Sequence, residues 1–116
     1  MKTPNKIEFG DFQTPLPLAR EICALLKREG VETQNVLEPT CGLGAFLVAA
    51  AEAFPAARLT GLEINAGYLE AARESLERAG AVDRTSLRSQ DFFANDWDKE
   101  LAAIPGSLLV LGNPRG

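Results

Sequence analysis

The sequence contains no histidine, only two cysteines and one tryptophan, and no excess of basic residues. Without histidine, the usual general base for a serine or cysteine nucleophile is missing, and a zinc site lacks one of its commonest ligands. We therefore predict neither a hydrolase triad nor a metal site. Cys23 and Cys41 cannot build a disulfide framework. A net charge of −4 and a pI near 4.8 argue against binding of a nucleic-acid phosphate backbone by this chain alone.

Long hydrophobic runs are also missing. No apolar stretch approaches the ~18 residues that a membrane helix needs, and the basic start of the chain is not followed by the apolar region of a secretory signal. We expect a cytoplasmic protein with no membrane partner. The 116 residues are 46% hydrophobic and 24% charged, which are ordinary globular values that leave room for one domain.

Helix and strand signals alternate along the chain. Thr14 is the predicted N-cap of a first helix that Gly30 ends. Alternating elements with right-handed crossovers form an open parallel sheet with helices on both faces, a doubly wound α/β fold whose ligands bind beyond the carboxyl ends of the strands. The predicted strands are 35–38, 58–63, 85–89 and 107–111, and the later helices are 45–54, 66–79 and 98–103.

The segment after the first predicted strand carries the first ligand-binding signal, EPTCGLGAF over residues 38–46. Gly42 and Gly44 permit a tight turn and close approach of a ligand to the backbone, and the next helix presents free N–H groups. Leu47 replaces the third glycine of a dinucleotide fingerprint, and the Walker lysine is missing. An acid at Glu38 suits a cationic ligand better than a polyphosphate. A plain strand-to-helix turn is the alternative interpretation.

This segment, together with FGDFQTP over residues 9–15, resembles the cofactor motifs of class I S-adenosylmethionine-dependent methyltransferases. The similarity is to the adenine-amino DNA methyltransferases that carry these motifs N-terminally, and it extends from about residue 8 to residue 114. It implies S-adenosylmethionine as cofactor and S-adenosylhomocysteine as product. It places Gln13 and Thr14 near the methionine carboxylate, and Glu38 and Gly42 near its amino end. The implied cofactor set is Gln13, Thr14, Glu38, Thr40, Cys41, Gly42, Gly44, Glu63, Ile64, Asp91 and Phe92.

The second and third strand ends fit this resemblance. Glu63 lies 19 residues after Gly44 (63 − 44), and an acid at about that distance commonly accepts both ribose hydroxyls of a nucleoside. Ile64 would pack against the adenine ring. Asp91 would accept a hydrogen bond from the adenine amino group, and Phe92 would cover the ring face. The alternatives are a solvated Glu63 and an aspartate turn followed by core phenylalanines. Phe93 is assigned to the core.

The end of the fourth predicted strand resembles the start of the family's catalytic motif, Asn-Pro-Pro followed by an aromatic. Asn113 and Pro114 match it. Their side-chain and backbone oxygens would accept both N–H bonds of the target amine and position its lone pair for attack on the sulfonium methyl, while the aromatic would stack on a flipped base. Arg115 and Gly116 stand where the second proline and the aromatic belong. A reading-frame slip is one hypothesis for this departure.

The sequence thus predicts the cofactor-binding part of an adenine-specific DNA methyltransferase, truncated to about four strands. We expect DNA to be the partner of a full-length parent, and this chain alone to bind DNA weakly or not at all and to have little or no activity. Methylation of protein glutamine or RNA amino groups stays open. A non-catalytic half that assembles with a separate partner is another open alternative. Whether a restriction partner exists is also open. The exposed fourth strand is expected to mediate self-association.

Overall fold

A computed structural model describes residues 13–112. The predicted catalytic residues Asn113 and Pro114 lie outside this range. The elements follow the predicted order, and their bounds differ from the predicted ones by a few residues at most. They are α1 (Leu16–Arg28), β1 (Asn35–Glu38), α2 (Ala45–Ala53), β2 (Arg58–Leu62), α3 (Ala66–Arg78), β3 (Thr85–Arg88), α4 (Trp97–Ala102) and β4 (Leu108–Val110), with 3-10 turns at Val82–Arg84 and Phe92–Ala94.

The four strands form one parallel sheet in the order β3-β2-β1-β4. Chain order runs outward from β1 through β2 to β3 and then crosses back, so β4 pairs with the other side of β1. Ligands of doubly wound sheets bind at such a switch point. Because the strands are parallel and in register, Glu38 at the end of β1 lies beside Gly61 near the end of β2. The predicted fold is confirmed, and the informative strand ends share one edge.

The start of α1 differs from the prediction. Pro15, not Thr14, is the N-cap, and no side chain caps this helix. Pro17 explains the shift, because it lacks the N–H that a hydroxyl at Thr14 would bond at the third helical position. The predicted cap of α3 is confirmed, since Asn65 Oδ1 accepts from the N–H of Tyr68 at 3.0 Å.

The core surrounds β1 and α2. All four residues of β1 are buried, and six consecutive residues of α2, from Phe46 to Ala51, are buried as well. A helix that is apolar on every side is enclosed by its neighbours, and α1 covers α2 with the buried side chains of Ala19 and Cys23. This enclosure fixes the N-terminus of α2 at the carboxyl end of the sheet. None of the helices within residues 13–112 is long and apolar enough to cross a membrane.

β4 is an edge strand of the described sheet, because β1 is its one partner among residues 13–112. Val110 is 54% exposed, and residues 107–112 carry no charge. Such an edge promotes strand-to-strand association, so self-association through β4 stays our prediction. In sedimentation velocity we expect a sedimentation coefficient that rises with concentration. Val110→Lys should remove the rise, and Leu101→Lys, at an exposed position of α4, should not. A wild-type chain that stays a monodisperse monomer would contradict the prediction.

Candidate functional site

The loop between β1 and α2 is a tight turn held against the neighbouring strand. The N–H of Cys41 donates to the carbonyl of Leu62 at 2.8 Å, and the N–H of Gly44 donates to the carbonyl of Cys41 at 2.8 Å. Gly42 has φ +54°, and a Cβ there would lie 2.3 Å from Oε1 of Gln13. That oxygen accepts from the N–H of Leu43 at 3.1 Å. Gly42 is therefore required both by the turn and by the approach of the Gln13 side chain.

Gly44 has a structural role at the start of α2. It caps α2 with φ +88°, and a Cβ there would lie 2.9 Å from Cβ of Ala72 in α3. Gly44 does not line the cleft described below. Close packing of α2 against α3 accounts for this glycine, and the assignment of Gly44 to the cofactor set stays a prediction.

One cleft, with a volume of about 210 Å³, opens at the carboxyl ends of β1, β2 and β3. Its walls contain every predicted cofactor residue except Gly44: Gln13, Thr14, Glu38, Thr40, Cys41, Gly42, Glu63, Ile64, Asp91 and Phe92. It also contains residues that were not assigned to the cofactor: Ala45, Phe46, Tyr68, Gln90 and Phe93. Each of these lies within a few positions of an assigned residue, so adjacency to the strand ends was the signal that could have found them.

The Glu63 carboxylate is fixed by backbone donors on both sides. Its Oε1 accepts from the N–H of Gly42 at 2.8 Å, and its Oε2 accepts from the N–H of Asn65 at 2.9 Å. Each oxygen keeps a second acceptor site. Glu63 thus joins the glycine turn to the start of α3 and still offers two acceptors to a ligand with paired hydroxyls.

In the described part of the chain, Glu38, unlike Glu63, does not have a hydrogen-bond donor on both carboxyl oxygens. Its side chain is only 4% exposed, and its Oε1 has no hydrogen-bond partner among the described residues. Burial, followed by repulsion from Glu63, raises the pKa of Glu38 well above its usual range, and a backbone hydrogen bond with Leu47 acts in the opposite direction. Glu38 and Glu63 line the same cleft. A buried acceptor without a donor suits a cationic ligand group.

The other titratable groups here do not neutralise these carboxyls. Burial, with repulsion from Glu38 added, raises the pKa of Cys41 to about 12 and that of Cys23 to about 11, so both thiols stay protonated. Within residues 13–112, no lysine or arginine lines the cleft. The site is acidic on one side and apolar on the other.

The apolar side comes from the turn after β3. Asp91 Oδ1 accepts from the N–H of Phe93 at 3.2 Å and so caps the 3-10 turn. The placement of Phe93 in the core is wrong, because its side chain is 89% exposed and contacts Phe92 edge to face at 5.0 Å. The turn follows the end of β3, and the Phe93 ring lies outside the core. Trp97 supports Phe92, with ring centroids 5.3 Å apart and its Nε1–H donating to the Phe92 carbonyl at 2.9 Å.

The Glu38 carboxyl makes the stability of the ligand-free protein depend on pH. Because the pKa of Glu38 is higher in the folded than in the unfolded state, the folded state holds the proton more tightly. The resulting contribution to stability is fully present below the unfolded pKa, about 4.3, and is lost as pH rises through the folded pKa. The free energy of unfolding should fall across that window by up to about 1.4 kcal/mol per pH unit. Urea unfolding between pH 5 and 9, a range we choose for the experiment, measures it.

Two variants separate this effect from others. Glu38→Gln should flatten the pH dependence, because the amide cannot ionise. Glu52→Gln is the matched control: Arg20 lowers the pKa of Glu52, and the pair is largely exposed, so this variant should keep the wild-type slope. An equally steep slope in Glu38→Gln would show that another group is responsible.

The fold and the site together define a class. A parallel sheet of order β3-β2-β1-β4, with a glycine turn after β1 and acids at the strand ends, is a class I Rossmann-like methyltransferase architecture. The family described as "Methyltransferase domain" matches residues 36–104. The chain belongs to this family, whose members take the methyl group from S-adenosylmethionine.

Curated relatives include type II methyltransferases, in agreement with the resemblance found in the sequence. The chain is 39% identical to the type II methyltransferase M.NspV of Nostoc sp. (strain ATCC 29411 / PCC 7524), over 94% of this chain and 23% of that protein. It is 30% identical to the type II methyltransferase M.XamI of Xanthomonas campestris pv. amaranthicola, over 90% of this chain and 19% of that protein. The chain thus spans about a fifth to a quarter of these relatives' length.

Solved structures share the fold. An RNA methyltransferase from Salinibacter ruber, in complex with S-adenosylhomocysteine, superposes with a TM-score of 0.61 at 28% identity, over 73% of this chain and 54% of that one. An O-methyltransferase from Bacillus cereus, also in complex with S-adenosylhomocysteine, gives a TM-score of 0.65 at 17% identity, over 91% of this chain and 49% of that one. The second similarity shows the fold alone.

Proposed function

We propose that this chain is the cofactor-binding part of an S-adenosylmethionine-dependent methyltransferase that acts on the exocyclic amine of adenine in DNA. The observation that carries the cofactor assignment is the convergence of Glu38 and Glu63, from adjacent strand ends, in one cleft beside the glycine turn. Family membership supports the reaction class. The type II relatives support the DNA substrate.

The residues of the cleft fit the parts of this cofactor. Glu38 is a buried carboxyl without a donor on Oε1, which matches the ammonium of the methionine end. Glu63 keeps two free acceptor sites, which match the ribose hydroxyls. Ile64 and Phe92 are exposed apolar side chains on the cleft wall, which suit the two faces of an adenine ring. Asp91 would accept from the ring's amino group.

The bound cofactor supplies an activated methyl group on its sulfonium. In our proposal, the chain's own residues hold that group in place and present the acceptor. Asn113 and Pro114, which lie outside the described residues, would accept the two N–H bonds of the adenine amine and hold its lone pair in line with the methyl group. Positioning and electrostatics, without a histidine base, would then provide the catalysis.

Cofactor binding is tested by titrating the chain with S-adenosylhomocysteine in a calorimeter and following Trp97 fluorescence in parallel. Trp97 is the single tryptophan and contacts Phe92, so ligand in the cleft should change its emission with the same dissociation constant. We expect one weak site. The absence of both signals at millimolar ligand would refute the proposal.

The acceptor is tested with a polypeptide that contains this chain and a C-terminal region like that of its relatives. Methyl-labelled cofactor is supplied with DNA, RNA or protein, and we expect label in DNA as N6-methyladenine, lost in Asn113→Ala. Label in RNA would favour an RNA methyltransferase, as in the Salinibacter ruber structure. Label in protein glutamine would favour the protein-methylating alternative. Cofactor binding without any transfer would identify a non-catalytic half that needs a separate partner.

Phe93 provides a test of the apolar wall. Phe93→Ala should leave unfolding within about 0.5 kcal/mol of wild type, because an exposed ring contributes little to the core. It should weaken S-adenosylhomocysteine binding about five- to tenfold through lost aromatic contact. Leu25→Ala, an exposed position on α1 away from the cleft, is the control and should change neither. A large loss of stability with unchanged affinity would show that Phe93 stabilises the fold and does not contact the ligand.

A further inference from the structure

Resting on the proposed function, we propose that Glu38 carries a proton in the ligand-free cleft and releases it when the primary ammonium group of a ligand binds there. Cofactor binding is then coupled to proton release, and the site selects ligands that carry a free ammonium group. The coupling makes the cleft select ligands by their charge, a property that neither the fold nor the family match specifies.

The two carboxyl groups of the cleft are not equivalent. Glu63 accepts a backbone N–H on each oxygen, from Gly42 and Asn65. Glu38 is 4% exposed and has an Oε1 without a partner among residues 13–112. An isolated buried carboxylate next to a second one is strongly unfavourable, so the proton resides on Glu38.

The groups around Glu38 reinforce this assignment. Glu63 faces it from the end of β2, Cys41 from the turn and Cys23 from α1, while α2 contributes the backbone of Leu47. Burial and the Glu63 charge raise the pKa of the Glu38 carboxyl, and both thiols remain neutral. Asp91 and Tyr68 also line the cleft, and no basic side chain of the described residues does. In our proposal the ligand brings the positive charge that residues 13–112 do not supply.

The proton balance of the binding step is simple. The ligand arrives as an ammonium ion, the O–H bond of Glu38 breaks, and its proton goes to solvent while a carboxylate–ammonium pair forms. At a pH between the pKa of Glu38 in the complex and that in the free protein, binding releases up to about one proton, and affinity rises up to about tenfold per pH unit. Above this window the release stops. A nucleoside without an ammonium group, such as 5′-methylthioadenosine, binds without releasing the proton.

The test is calorimetry of S-adenosylhomocysteine binding to the whole chain in phosphate and in imidazole, at several pH values between 6 and 8, a range that both buffers cover. Buffers with different ionisation enthalpies reveal proton release as a difference in observed heat. We expect release in wild type, no release and a pH-independent affinity in Glu38→Gln, and wild-type behaviour in Glu52→Gln. With 5′-methylthioadenosine, no protein should show release.

The outcomes separate the two proposals. Wild-type binding with equal heats in both buffers at every pH would overturn proton coupling and leave the proposed function intact. Release that persists in Glu38→Gln would overturn the assignment to this residue. A wild-type chain that binds no S-adenosylhomocysteine would overturn the proposed function itself. The buffer comparison on wild type needs no variant, so it stands even where Glu38→Gln fails to fold.

Discussion

Replacing Glu63 by alanine is expected to weaken S-adenosylhomocysteine binding at least about a hundredfold. The substitution removes two acceptors for the ribose hydroxyls, and hydrogen bonds to a charged group contribute about 1.5 to 3 kcal/mol each. It also leaves the N–H groups of Gly42 and Asn65 without their carboxylate, so the glycine turn loses its link to α3. Calorimetry measures the affinity, and thermal unfolding measures the structural part.

Two further variants serve as a conservative comparison and as a control for this result. Glu63→Gln keeps the shape and one oxygen acceptor, so we expect an intermediate loss. Glu77→Ala removes an exposed acid from α3 and should leave the affinity unchanged. If Glu63→Ala bound S-adenosylhomocysteine as tightly as wild type while remaining folded, Glu63 would be a structural residue and the nucleoside would lie elsewhere.

Gly44→Ala is expected to destabilise the fold by about 3 kcal/mol. A non-glycine residue in the left-handed region costs about 1 to 2 kcal/mol, and overpacking a tight contact adds about 1 to 3 kcal/mol. Both apply here, because φ is +88° and the new Cβ would lie 2.9 Å from Cβ of Ala72. The midpoint of urea unfolding should fall accordingly.

The chain contains a matched control for this substitution. Gly30 has the same φ of +88°, but nothing lies within 4 Å of a Cβ placed there. Gly30→Ala should therefore show only the backbone cost, about 1 to 2 kcal/mol. The difference between the two variants isolates the contact between α2 and α3. Equal losses in both would show that this contact is not tight.

The strand ends explain why so much of the cleft could be predicted from sequence. In a parallel sheet the carboxyl ends of neighbouring strands meet at one edge, so Glu38, Glu63 and Asp91 had to come together once the strands were recognised. The turn chemistry of Gly42 was visible in the same way. This part of the site depends on local signals and on the topology, and both are encoded in short segments.

Other features depend on contacts between distant segments. The partner of Gly44 is Ala72, 28 positions away (72 − 44), and no local pattern distinguishes such a glycine from one that approaches a ligand. Phe93 was assigned to the core because it is apolar, but it lies in the 3-10 turn that Asp91 caps, beyond the end of β3. The Glu38 oxygen without a donor is visible only when every neighbouring element is in place.

The convergence of both carboxyl groups on one ligand can be measured by carbon-13 NMR of protein labelled at glutamate carboxyls, with the signals assigned from Glu38→Gln and Glu63→Gln. During titration with S-adenosylhomocysteine, we predict that the Glu38 and Glu63 signals shift together along one single-site binding curve with one dissociation constant. Before ligand is added, the Glu38 signal should titrate above the usual range of glutamate, and at a lower pH in Glu63→Gln. Shifts at only one of the two carboxyls, or at neither, would contradict a shared site.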